Sequence, residues 1–226
     1  MINLIKKLLK HYYILIKNRK KLILSFSCSV TLNSIFEGRN RICSEAWFNG
    51  SIGYGSYLGS KTIIDGKIGR YTSIGPSCNV IFGTHPYTYP FVSTSPMFFS
   101  TRNQSGYTFA DQQHFNEFRY ADEINKYAIV IGNDCWIGAN VSIISGVSIG
   151  DGVVVLTGSV VTKDVPDYAI VGGIPGKVIK YRFSDDDIEF LLKIKWWENG
   201  EEWMKKNKDL LINFNLLKEK YKHCDI

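Results

Sequence analysis

The chain has 226 residues, 45% of them hydrophobic and 21% charged, and carries a formal net charge of +6. That composition fits one sizeable folded domain with a small appendage and excludes a disordered chain. The five cysteines, Cys28, Cys43, Cys78, Cys135 and Cys224, are odd in number, widely spaced and without a C-x-x-C pair, which argues against a disulfide framework or a zinc knuckle and for a reducing compartment.

Residues 1–29 read as a basic N-terminal helix. Seven cations (Lys6, Lys7, Lys10, Lys17, Arg19, Lys20 and Lys21) precede the first acidic residue, Glu37. Leu4, Leu8, Tyr12, Leu15 and Ile16 share one helical stripe. The longest apolar run there, Tyr12 to Ile16, is too short to span a bilayer. No small-residue cleavage site follows it, so no signal peptide is expected. Two uses of the segment stay open: packing on its own chain or a sister subunit, and weak attachment to an anionic membrane surface. No nucleic-acid motif accompanies the charge, so no nucleic-acid partner is expected. The expected location is the cytoplasm, with peripheral attachment at the inner face of the membrane as the open alternative.

Residues 30–165 are governed by a period of six. Ile131, Ile137, Ile143, Ile149, Val155 and Val161 recur every sixth residue. Ile68, Ile74 and Val80 keep the same spacing, as do Val30, Phe36, Ile42 and Phe48 in a weaker form, with Ile52 and Leu58 between the two tracts. This fits neither a helix nor a simple amphipathic strand. It predicts a parallel β-solenoid: each hexad makes one short face and one corner, and three hexads close a triangular coil. Gly, Asn, Asp and Ser at the corners supply the backbone freedom the turns need.

The repeat stops at His85 and resumes near residue 128. The intervening loop, 86–127, is rich in aromatic and polar residues and has no room inside a stacked solenoid, so it must protrude and can reach a neighbouring subunit. Residues 166–226 form a Pro/Gly-punctuated exit and C-terminal helices. Ser184 reads as an N-cap, with Asp185, Asp186 and Asp187 in the first helical turn. Gly200 is expected to break that helix, with a second from Glu201 through Lys222.

The hexads, running into VVTKDVPDYAIVGGIPGKVIKYRF, resemble the hexapeptide-repeat acyltransferases. The break at His85 and the tail SDDDIEFLLKIKWW narrow the resemblance to the xenobiotic (chloramphenicol and streptogramin) acetyltransferase subgroup, close to bacterial polysaccharide O-acetyltransferases. It covers roughly residues 30–205. It implies a mainly β fold, a left-handed parallel β-helix, assembled as a homotrimer with active sites between subunits. The left hand comes from the resemblance, since most β-crossovers are right-handed.

Acetyl transfer from a thioester needs a base, donors for an oxyanion and aligned reactants. Imidazole suits the first task. Of the four histidines, His11 and His223 lie in terminal helices and His114 lies in the loop. His85 stands where the coil opens. From the residues alone it is equally a turn residue or a general base; the resemblance implies the base. Asp111, Glu117, Asp122, Glu123 or a backbone carbonyl are the open choices for orienting it. The resemblance further implies acetyl-CoA as co-substrate, with no metal. Its groove would be lined by Trp136, Ala139, Thr157, Thr162 and Lys163, and its phosphates met by Lys177 and Lys180. Thr157 stands where the family commonly has Ala, and Gly176 where it often has Ala or Cys. Tyr87, Tyr89, Ser93, Thr94, Phe98 and His114 are the expected acceptor contacts.

The expected activity is O-acetylation of a surface-polysaccharide sugar or its precursor. The alternatives are N-acetylation of a nucleotide-linked aminosugar and antibiotic O-acetylation. A zinc hydratase on a similar scaffold would need three histidines, and only His85 and His114 are plausibly placed.

Overall fold

In a computed structural model the described residues run from 2 to 222, with side chains from Ile5 onward. Expectations for His223, Cys224 and the Leu4 side chain fall outside them. The chain begins with α1 (Ile2–Lys17) and then winds into triangular coils. The first coil holds β1 (Leu22–Leu24), β2 (Ser29–Val30) and β3 (Ile35–Phe36), and the second β4 (Asn40–Ile42) and β5 (Trp47–Ile52). The third holds β6 (Tyr57–Leu58) and β7 (Ile63–Ile68); the fourth β8 (Ser73–Ile74), β9 (Asn79–Ile81) and β10 (Ile129–Ile131). The fifth holds β11 (Trp136–Ile137), β12 (Ser142–Ile144) and β13 (Ser148–Ile149). The sixth holds β14 (Val154–Val155), β15 (Val160–Val161) and a bridge at Val165. β16 (Ala169–Gly172) follows, and β17 (Lys177–Tyr181) turns back antiparallel to it.

Parallel pairing stacks the hexads into three inward ladders. On the first face Ile42, Leu58, Ile74, Ile137, Val155 and Val171 lie in register. The second face stacks Phe48 on Val30, and Ile143 between Val80 and Val161. The third runs from Phe36 through Ile52, Ile68, Ile131 and Ile149 to Val165. Nearly all of these side chains are buried in one continuous core. Each contributes about 1.5–3 kcal/mol by leaving water.

The period of six is interrupted where β5 and β7 run unbroken round a corner, so that Phe48 to Ile52 and Ile64 to Ile68 are steps of four. Gly50 and Gly66 sit in register at that corner. A Cβ on Gly50 would lie 1.9 Å from the Gly66 carbonyl oxygen, and Gly50 has φ +135°. The other corners take small buried residues. The Ser56 hydroxyl donates to Gly69 O (2.6 Å) and the Thr72 hydroxyl to Gly132 O (2.8 Å). The Cys78 and Cys135 thiols donate to Gly138 O (3.0 Å) and Gly150 O (3.1 Å). Those cysteines are corner-filling residues, and burial pushes the Cys135 thiol up to about 12.

The N-terminal helix expected over residues 1–29 closes at Lys17, and Leu22–Leu24 already belongs to the first coil. The Asn18 side chain donates back to Ile14 O (2.9 Å), and Lys20 takes a positive φ of 69°. Among the described side chains of the helix, only Ile14 enters the core, beside Leu22, Cys28 and Val30. The stripe read from the sequence therefore does not face the core: Tyr12 and Ile16 are exposed, and Leu8 and Leu15 only partly covered.

At the other end, Ser184 accepts from the Asp187 amide and caps α2 (Asp185–Ile194). Lys195, in the left-handed region at φ 40°, closes it, and a short 3-10 turn spans Trp196–Glu198. The single helix expected from Glu201 to Lys222 is two helices, α3 (Glu201–Leu211) and α4 (Phe214–Tyr221). Asn213 divides them, because its side chain accepts from the Asn215 and Leu216 amides and starts a new helix. A second core of Tyr168, Leu191, Trp197 and Leu217 joins these helices to the solenoid.

Candidate active site

The loop leaves the solenoid after Ile81 and returns at Ile129, at the corner between the second and third faces. His85 is four residues past β9, so the loop itself, not the coil, holds it. The Thr84 amide donates to Glu117 O (2.9 Å), tying the approach to the far side of the loop. The imidazole is exposed, with Nδ1 2.8 Å from Thr94 O and its edge against the buried Phe99 ring at 5.6 Å.

That hydrogen bond fixes the tautomer. A carbonyl oxygen only accepts, so Nδ1 carries the proton and Nε2 is left basic. Thr94, expected as an acceptor contact, orients His85 through its backbone. Of the four carboxylates considered for that task, three do other work and the fourth, Asp111, makes no hydrogen bond or ion pair with His85. Asp122 accepts from the Ile124 and Asn125 amides in its own turn (3.0 and 2.9 Å). Glu123 pairs with Lys126 (2.7 Å), and Asp111 is exposed. Glu117 is the loop's keystone: 5% exposed, its carboxylate accepts from Ser100 Oγ (2.6 Å), Gln113 Nε2 (2.9 Å) and Gln104 Nε2. A fully satisfied buried polar network of this kind specifies one loop conformation. Phe91, Phe99 and Phe115 pack edge-to-face beneath His85.

The expected acceptor contacts divide into two groups. Tyr87 and Tyr89 stand out from the loop, 79% and 96% exposed. Phe98 stacks on Phe109 at 5.6 Å, while Ser93 Oγ accepts from the Ser95 amide. His114 donates its amide to Phe99 O (2.9 Å) and lines a separate cleft of about 600 Å³ with Arg102, Gln113 and Glu117. His85 is not among that cleft's lining residues.

The expected cofactor residues divide between corners. Ala139 and Thr157 stack at the corner between the first and second faces, where the Gly158 amide donates to Ala139 O (2.9 Å). Coils approach closely there: a Cβ on Gly138 would lie 2.6 Å from the Thr157 amide nitrogen. Trp136, 51% exposed, projects from the adjoining first face. Thr162 and Lys163 follow β15 at the corner from which the His85 loop springs two coils earlier. Lys177 and Lys180 lie on the exposed strand β17, at the far edge of the first face. One chain thus presents His85 at one corner and Trp136, Ala139 and Thr157 around another. Among the described residues, no group of three or more His, Cys, Asp or Glu is placed to hold a metal ion.

The pattern defining the bacterial transferase hexapeptide family (six repeats) matches residues 128–163. A chloramphenicol acetyltransferase of Agrobacterium fabrum is 39% identical over 154 residues, covering 66% of this chain and 67% of that protein. A galactoside O-acetyltransferase of Escherichia coli is 41% identical over 78 residues, 34% of this chain and 38% of its own. In fold, the chain is similar to AntD, an N-acyltransferase from Bacillus cereus solved with dTDP-4-amino-4,6-dideoxyglucose and coenzyme A. That similarity has a TM-score of 0.55 at 19% identity and covers 80% of this chain and 96% of AntD.

Proposed function

The chain belongs to the hexapeptide-repeat acetyltransferases, and from that premise we propose that it transfers acetyl from acetyl-CoA to a sugar hydroxyl of a bacterial surface polysaccharide or its precursor, with His85 as general base. The observation that carries the assignment of the base is the 2.8 Å contact of His85 Nδ1 with Thr94 O. It leaves Nε2 basic on an exposed ring, at the root of a loop that can hold an acceptor.

Acetyl-CoA supplies an activated thioester. Trp136, Ala139 and Thr157 would hold it along the stacked corner, Thr162 and Lys163, on the His85 corner, would meet it from the neighbouring chain, and Lys177 and Lys180 would meet its phosphates. The exposed indole and the small residues of that corner fit such an arm; the space in front of Gly158 is open, with nothing within 4 Å. His85 Nε2 takes the proton of the acceptor hydroxyl as it attacks, and Thr94 O holds the resulting imidazolium by the same Nδ1–H bond. The Nε2 proton is then available to the leaving group. The homotrimer expected of this family would bring the two corners of neighbouring chains together.

Tyr87, Tyr89, Ser93 and Phe98 offer the mixture of aromatic faces and hydroxyl groups that suits a sugar. A second reading, antibiotic O-acetylation, is favoured by the chloramphenicol acetyltransferase relative. N-acetylation of a nucleotide-linked aminosugar is the third. Incubating the purified protein with acetyl-CoA and each acceptor class separates them. An alkali-labile acetyl on a galactoside or polysaccharide repeat is the expected result. An alkali-stable acetyl on the aminosugar, or transfer to chloramphenicol alone, would replace this acceptor assignment.

A further inference from the structure

The 86–127 loop carries a second concave surface that the chemistry at His85 leaves unused. It is the cleft of about 600 Å³ between Thr101–Arg102 and residues 113–118, within the size range of small-molecule sites. Its floor is fixed. Glu117 lies there, 5% exposed, with both carboxylate oxygens engaged by Ser100, Gln104 and Gln113. The rim is available. Arg102, Asn116 and His114 are exposed. The Arg102 guanidinium sits 4.3 Å from the centre of the Phe118 ring and 3.9 Å from Glu117 Oε1, too far for a hydrogen bond. Stacking therefore positions its fork while its N–H groups stay free to donate. Asn116 Oδ1 accepts from the Phe118 amide (3.2 Å). Its Nδ2 and the His114 imidazole have no hydrogen-bond partner among the described residues. Phe115 and Phe118 are half-buried in the same wall.

The cleft and the base are fixed to each other. Phe115 packs against Phe99 at 5.7 Å, and Phe99 against His85 at 5.6 Å, so one ring separates the cleft wall from the imidazole. The Glu117 carbonyl holds the Thr84 amide beside His85 (2.9 Å). We propose that the cleft is a subsite for a second sugar unit of an oligosaccharide acceptor, while His85 meets the hydroxyl of another unit. This rests on the sugar-acceptor reading above and narrows it to an oligomeric or polymeric acceptor. A sugar offers hydroxyls that both donate and accept, and apolar C–H faces. The rim supplies a guanidinium fork, an amide donor, an imidazole that does either, and part-exposed aromatic rings. The Glu117 carboxylate behind Arg102 balances its charge, which favours a neutral, hydroxyl-rich ligand over a coenzyme phosphate. The polar floor equally disfavours an apolar drug.

The probe is the surface polysaccharide of the strain that encodes the protein, stripped of acetyl by mild alkali and cut by mild acid into single sugars and oligosaccharides of increasing length. The kcat/KM for acetyl transfer is expected to rise at least about tenfold from the single sugar to the longer fragments. Arg102→Ala should return the long fragments to about the single-sugar value. So should Asn116→Asp, which removes Nδ2 and keeps the oxygen that accepts from the Phe118 amide. Both variants should keep the parent's thermal midpoint, single-sugar rate and KM for acetyl-CoA. Equal kcat/KM at every length overturns the proposal, as does a length dependence that both variants retain. A raised KM for acetyl-CoA in both would overturn it by assigning the cleft to the coenzyme. If no fragment is acetylated, the acceptor reading fails, and titration calorimetry with the longest fragment decides the subsite separately. Binding weakened about tenfold by Arg102→Ala supports it; no binding by the parent overturns it.

Discussion

His85 is defined by two neighbours rather than by a carboxylate. Thr94 O sets which nitrogen is basic, and Phe99 supports the ring from below. The residue is exposed and makes little of the core, so its removal tests chemistry and not folding. His85→Ala is expected to lower turnover about a hundred- to ten-thousand-fold, with acetyl-CoA affinity and thermal midpoint unchanged. Steady-state thiol release, calorimetric titration and a melting curve measure the three quantities. Turnover within a few-fold of the parent would remove His85 from the role of base. The break in the hexads made this histidine visible in the sequence. Its partner was not visible, because a carbonyl is present at every residue and only the path of the loop decides which one reaches Nδ1. Glu117 was hidden for a related reason: its importance lies in burial among Ser100, Gln104 and Gln113, which no spacing announces.

At the scale of elements, the coils were legible because each inward aliphatic residue must repeat where the chain completes one face. The steps of four at β5 and β7 were not, since a corner rounded by an unbroken strand depends on the Gly50–Gly66 approach rather than on hydrophobic period. The helix boundaries failed where a single side chain decides them, as Asn18 and Asn213 do. The attachment of α3 to the solenoid rests on Glu201, which accepts from Tyr54 Oη (2.6 Å) and Arg39 Nη2 (2.9 Å). Tyr54, Arg39 and Lys205 together hold its carboxyl well below its ordinary value of 4.5, at about 2. A lowered folded value means that this contribution is fully present above 4.5 and is lost as pH falls through about 2. Hydrogen exchange in α3 should therefore quicken over that acid range before the coils themselves open. Glu201→Gln should flatten the dependence; an unchanged acid profile in that variant would place the sensitivity elsewhere, with the Glu37–Arg70 pair as the next candidate.

The whole molecule poses a problem that one chain does not solve. His85 hangs from the corner between the second and third faces, while Trp136, Ala139 and Thr157 surround the corner between the first and second. A rigid solenoid cannot fold one corner onto another, so a site using both needs the base from one copy and the cofactor corner from the next. Cyclic symmetry then makes every interface equivalent. His85→Ala and Trp136→Ala are each expected to be impaired alone, the first in turnover and the second in acetyl-CoA affinity. Co-expressed in equal amounts, they would form mixed assemblies in which about a quarter of the interfaces pair an intact His85 with an intact Trp136. Activity should recover to about that fraction at low acetyl-CoA. Mixed assemblies, verified by two affinity tags, that stay as inactive as the His85→Ala parent would mean that both residues act within one chain, and the path of the 82–128 loop over its own solenoid would have to bring them together.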